Sequence, residues 1–226
     1  MKWLYYVNEI SQILNLEKEK QMNDLGVISA AQWVRMVVTI ICLAITVNVV
    51  RAGKWYNLIF FGTNWALLAT LGTAFSGCYL MLDDSHHYRA LFHFFYTLMI
   101  FINPVVILIY WPFERQNHLK MLEEQYSKDP VQHQRALKHG NIVHTVPGLC
   151  MVALMVTSDA VLLRRHYKEM TIVCLVYIAT NYFYAKAMGK PLYKMLTWDD
   201  YKSFGLAACV PAIFIPIFCI IVLVDE

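Results

Sequence analysis

The chain is poor in charge, with only 15% Asp, Glu, Lys and Arg among its 226 residues. That is too little for a solvated surface on every side of a soluble domain. A net charge of +3 is also too small for a nucleic-acid-binding surface, and no nucleic-acid partner is expected. The six cysteines, Cys42, Cys78, Cys150, Cys174, Cys209 and Cys219, are far apart in sequence. None has the paired spacing of a zinc knuckle, and each falls in or near an apolar stretch, where a thiol packs as a small hydrophobe. Residues 1–30 lack a continuous apolar core, so no cleavable signal peptide is expected. Internal repeats and low-complexity tracts are missing as well.

Long apolar runs dominate instead. They cover roughly 34–50, 56–82, 90–112, 142–163, 169–187 and 203–224, in a chain that is 58% hydrophobic. Most approach the ~20 residues a helix needs to cross the hydrocarbon. Helices are expected there because lipid offers the backbone no hydrogen-bonding partner. The expected fold is all-α: a six-helix transmembrane bundle over 31–226, preceded by an amphipathic interfacial segment over 1–30. In that segment Trp3, Val7, Ile10 and Leu14 share one helical face over residues 2–20. A helix that binds a partner protein is the alternative reading of it. Asp129-Pro130 reads as an N-cap followed by proline in the first turn, and two short surface helices are expected in the polar loop 113–141. Thr197 and Asp200 read as the capped start of the last helix. Six spans place both termini on one side, and the opposite side carries more Lys and Arg. The positive-inside rule puts that richer side in the cytoplasm or matrix.

Few polar residues interrupt the spans, and five of them sit at similar depth. Thr63, Asn64, Asn103, His144 and Asn181 come from four different spans. Polar side chains are costly against lipid, so a shared layer suggests an interior site. A threonine hydroxyl becomes a nucleophile when a neighbouring imidazole takes its proton. Asparagine amides stabilise an oxyanion or orient the base. The plainer alternative has Thr63 bonding the carbonyl of Ile59 and the asparagines tying helices together.

Asp83, Asp84, His86, His87 and His93 form a second polar group without a recognised ligand spacing, and it reads as a solvated turn. His93 and His144 enter from opposite faces, ~20 Å apart along the normal, so they cannot both ligate one haem. No metal or cofactor is expected.

Three short motifs point to a family. Phe60-Phe61-Gly62-Thr63-Asn64-Trp65, His139-Gly140-Asn141-Ile142-Val143-His144-Thr145, and Pro191-Leu192-Tyr193 through Trp198 occur in this order. They resemble the motifs of the androgen-induced / Rolling-stone-like multi-pass membrane family. One branch of it contains threonine hydrolases of fatty acid esters of hydroxy fatty acids. By position the resemblance implies Thr63 as nucleophile and His144 as base. The spacing of the two histidines departs from that branch, which keeps His139 as a rival base. The Thr-Asn-Trp string is closer to the Rolling-stone branch, for which no enzymatic activity is implied. Two functions follow: a lipid-ester hydrolase with Thr63, His144 or His139, Asn64, Asn103 and Asn181 in its site, or a non-catalytic accessory subunit of a larger membrane assembly. Membrane lipids are the expected partners, with other subunits of such a complex in the second case. An endomembrane and the mitochondrial inner membrane are equally compatible with the sequence.

Overall fold

The computed structural model describes residues 29–51, 57–80, 82, 85–158, 160, 162, 166–194 and 196–209. Residues 1–28 of the interfacial segment, with the expected helix over 2–20, and Asp83, Asp84 and most of the sixth apolar run lie outside them. Among the described residues the fold is helical, with no strand. The helices are α1 (Ala30–Arg51), α2 (Asn57–Phe60), α3 (Gly62–Tyr79), α4 (His86–Ile109), α5 (Arg115–Tyr126), α6 (Pro130–Val156) and α7 (His166–Met188). A widened π turn, Tyr110–Glu114, joins α4 to α5. Residues 201–209, here α8, are also helical.

Among the described residues three helical runs are long and apolar enough to cross a membrane: Ala30–Arg51, His86–Tyr126 and Pro130–Val156. The outside of the bundle fits lipid as its solvent. Ile40, Leu149 and Phe183 are each about two-thirds exposed, at 66%, 64% and 67%, while Thr70, Thr73, Ser76 and Asn103 are buried.

The central helix is α3, which packs against α1, α4 and α6. Its buried positions are mostly small: Gly62, Ala66, Ala69, Ala74 and Gly77. A Cβ on Gly72 would come within 2.6 Å of the Phe95 ring, so glycine permits the close approach of α4. Thr70, Thr73 and Ser76 return their hydroxyls to the carbonyls of Ala66, Ala69 and Gly72 at 2.8, 2.8 and 2.6 Å. Their polar groups are thus satisfied without solvent.

The expected surface helices of the 113–141 loop are extensions of the spans. The first, α5, continues α4 through the π turn. The second is the beginning of α6, which starts at Pro130 and runs unbroken to Val156. Asp129 caps α6 as expected, accepting from the Gln132 N–H at 2.9 Å, with Pro130 in the first turn. Asp129→Ala should therefore cost about 1 kcal/mol of local stability. The effect should appear as faster amide exchange near Gln132, with the exchange of buried α3 unchanged. At the start of α8 the cap is Asp200, one residue before the helix, because its Oδ1 accepts from Ser203 N at 3.0 Å. Thr197 bonds the Ser203 hydroxyl at 3.2 Å and is not the cap.

Candidate active site

Thr63 lies at the second position of α3, and the chain geometry there is set by a break. Phe61 is extended, with φ −90° and ψ 126°, and separates α2 from α3. It has no side chain able to cap the exposed amides of the first turn. Gly62 N–H is instead satisfied by the Tyr193 hydroxyl at 3.1 Å, and Tyr193 pairs with the Tyr177 hydroxyl at 2.8 Å. A Cβ on Gly62 would lie 2.8 Å from the Tyr177 oxygen, so only glycine leaves room for this pair. Trp65 spans the break by donating its indole N–H to the Ile59 carbonyl at 2.7 Å. Burial, and then the neighbouring Tyr177 hydroxyl, hold the Tyr193 phenol well above its usual value. Tyr193 therefore remains a neutral hydrogen-bond donor and acceptor at physiological pH.

The Thr63 hydroxyl is 2.9 Å from His144 Nδ1. Thr63 is buried, and α6 delivers the histidine from across the bundle. Thr63 does not use the Ile59 carbonyl, which Trp65 occupies. The Tyr110 ring lies flat on His144, with centroids 3.4 Å apart and planes 10° from parallel. Tyr110 is itself tied through its hydroxyl to His118 Nδ1 at 2.9 Å. Gly140, one turn before His144, faces the His118 ring, which a Cβ at that position would strike.

Thr63 and His144 both border a cavity of about 460 Å³. Its walls come from α4, α7 and the 193–209 segment, and are mainly apolar: Phe101, Val105, Ile109, Ile178 and Leu206 are representative. This size and character suit a hydrocarbon chain or a similar apolar ligand.

The remaining candidates separate. Asn181 lines the cavity and donates Nδ2 to the Tyr177 carbonyl at 3.1 Å, and its buried Oδ1 has no hydrogen-bond partner among the described residues. Asn103 is a helix tie, donating to Thr70 Oγ1 at 3.1 Å and to the Met99 carbonyl at 3.0 Å. Thr70 is seven residues beyond Thr63, ~10 Å further along α3, so Asn103 does not share the Thr63 level. Asn64 is buried but does not border the cavity. His139 is engaged by Asn48 of α1 at 3.3 Å, whereas His144 holds Thr63. The two histidines are five residues apart on one helix, about 140° around its axis, so they face different neighbours.

Sequence reasoning did not single out Tyr110, His118 or Tyr177. The signal for the first two was Pro112 at the end of a span. Proline lacks an N–H and crowds the carbonyl four residues back, which favours a widened turn. Among the described residues no group of three His, Cys, Asp or Glu side chains is arranged to hold a metal ion.

Together the described residues define a helical protein with runs long and apolar enough to cross a membrane and a Thr–His pair beside an apolar cavity. No protein-family model, curated protein or solved structure gives a significant match to this chain.

Proposed function

We propose that the chain is a six-span membrane hydrolase of acyl esters, with Thr63 as nucleophile and His144 as general base. The observation that carries this reading is the 2.9 Å Thr63–His144 contact on the wall of an apolar cavity. Two interior polar residues engaged with each other would suffice for a structural tie. Their position at a pocket able to hold an acyl chain favours chemistry.

The reaction runs in two halves. The acyl chain enters the cavity and brings the ester carbonyl to Thr63. The Thr63 oxygen attacks the carbonyl carbon as its proton passes to His144 Nδ1. When the tetrahedral intermediate collapses, the bond to the alcohol oxygen breaks and His144 returns the proton to that oxygen. The products are a free alcohol and an acyl-threonine ester. Water then attacks this ester, giving its proton to His144. The second collapse releases the fatty acid and restores the Thr63 hydroxyl.

Negative charge on the carbonyl oxygen needs nearby donors. In the first turn of α3 the Gly62 N–H donates to the Tyr193 hydroxyl and the Asn64 N–H to the Phe61 carbonyl, so the Thr63 N–H, which has no acceptor within its helix, is the amide available to this oxygen. The tyrosine pair contributes too: one of its two hydroxyl protons makes the Tyr177–Tyr193 bond, and the other remains to donate. Asn181 borders the same space. His139, held by Asn48, is not assigned a role, and neither are Asn64 and Asn103. Apolar walls exclude water from the first half of the reaction.

Purification in mild detergent, with hydrolysis assayed on a panel of long-chain esters, tests the activity directly. Turnover that depends on Thr63 is expected. If every ester resists, and stoichiometric partner proteins co-purify, the accessory-subunit reading replaces this one.

The six-span topology has its own expected result. Cysteines introduced at Lys20 and Glu226 should label from one face of sealed vesicles, and a cysteine at Tyr126 from the other. Labelling of positions 20 and 126 from the same face would rule out this topology.

A further inference from the structure

We propose that Tyr110 and His118 are positioning residues that clamp the His144 imidazole in the orientation that presents Nδ1 to Thr63. The kinetic part of this inference rests on the hydrolase reading; the clamp itself does not.

A histidine base ordinarily needs a second group to fix its ring, and a carboxylate on the other nitrogen is the familiar solution. Among the described residues no carboxylate bonds His144. One hydrogen bond at Nδ1 leaves the ring free to tilt about that contact. Tyr110 removes this freedom by lying parallel to the imidazole at 3.4 Å. Such a stack fixes the plane of a ring without drawing on either nitrogen. Tyr110 would in turn be free to swing, and the His118 Nδ1 bond to its hydroxyl at 2.9 Å prevents that.

Backbone features serve the same arrangement. Tyr110 opens the widened turn Tyr110–Glu114, which contains Pro112. Pro112 cannot donate to the Leu108 carbonyl as a regular helix would require. The turn expands there, as π turns do at functional sites. His118 follows two turns later on α5 and meets α6 at Gly140, where a side chain would displace its ring. Both contacts therefore hold α6, which carries His144, against the α4–α5 junction, which carries the clamp.

The test uses the full-length protein in lipid nanodiscs, with Tyr110→Phe, Tyr110→Ala, His118→Ala and His118→Gln. The first readout needs no enzymatic turnover: the rate at which diethylpyrocarbonate modifies His144, followed by mass spectrometry, with His139 as internal reference. In Tyr110→Ala and His118→Ala, His144 should react about tenfold faster, with His139 unchanged, because a stacked and anchored ring is shielded. A general loosening of the bundle would accelerate both histidines together.

The second readout is ester hydrolysis. Tyr110→Phe and His118→Ala should each lower kcat by about tenfold with little change in KM, in the range of lost orienting partners. Combining them should add nothing, since both break the same bond. Tyr110→Ala should lose about 100-fold, as expected of a misaligned base. His118→Gln, which keeps a hydrogen-bonding group for the Tyr110 hydroxyl, should recover part of the loss.

Unchanged His144 reactivity in Tyr110→Ala, or equal acceleration of His139, overturns the clamp. Selective acceleration of His144 in a protein that hydrolyses no ester keeps the clamp and removes the hydrolase reading.

Discussion

Thr63→Ala is expected to lower ester hydrolysis by on the order of 10⁴-fold, leaving the helical content and thermal unfolding of the protein unchanged. The hydroxyl is the atom that forms the new bond, and among the described residues no other hydroxyl is bonded to His144. Alanine removes one oxygen and one methyl from a buried position, and the helix there is held by Gly62, Trp65 and their partners rather than by Thr63. Thr63→Ser, which keeps the hydroxyl, should retain substantial activity. His144→Ala should lose about 10²- to 10⁴-fold, the usual contribution of a general base. Because the two residues act as one unit, the double variant should be no slower than Thr63→Ala alone. Turnover that persists in Thr63→Ala would exclude it as nucleophile.

Filling the cavity should produce the second large effect, and one that depends on the substrate. Val105 lies on the α4 wall of the 460 Å³ space. Val105→Trp should place an indole where the acyl chain would lie. Each methylene kept out of an apolar pocket forfeits about 0.8 kcal/mol. Exclusion of four would cost about 3 kcal/mol, or roughly 200-fold in kcat/KM. A butyrate ester, whose chain is too short to reach the plug, should be hydrolysed at near wild-type rate. Equal losses on short and long esters would mean that the substitution damages the bundle. No loss on either would place the acyl chain elsewhere.

The apolar runs made helices legible, because lipid leaves the backbone no other way to satisfy its polar groups. Their ends were harder to read. The loop at 113–141 is polar, yet it continues the flanking helices through Arg115–Tyr126 and from Pro130 onward. Helix length in such a region is set by capping and by packing of α5 against α6, and hydropathy does not register either. The Asp129-Pro130 signal was readable because it is local: a side chain, a proline and one amide decide it.

The candidate site shows the same division. Thr63 and His144 stood out as polar residues in apolar runs, and the fold brings them together. Counting residues from the span ends placed Asn103 level with Thr63, but Asn103 meets Thr70, about 10 Å further along α3, while Asn181 reaches the cavity. His139 and His144 differ by rotation about one helix, which depth does not register. Tyr110 and His118 were hidden for another reason. Aromatic residues at a span terminus are common at the membrane interface, and only the widened turn at Pro112 sets this one on the His144 ring.

The most direct test of the proposed chemistry is a search for the acyl-threonine. Purified protein would be incubated with a reactive long-chain ester, quenched in acid within a turnover, digested, and the peptide carrying Thr63 examined by mass spectrometry. The acyl mass is expected on Thr63, absent from Thr63→Ala, and slower to accumulate in His144→Ala. Hydrolysis of the ester with Thr63 unmodified at every time point, or with the acyl group on another residue, would contradict the assignment.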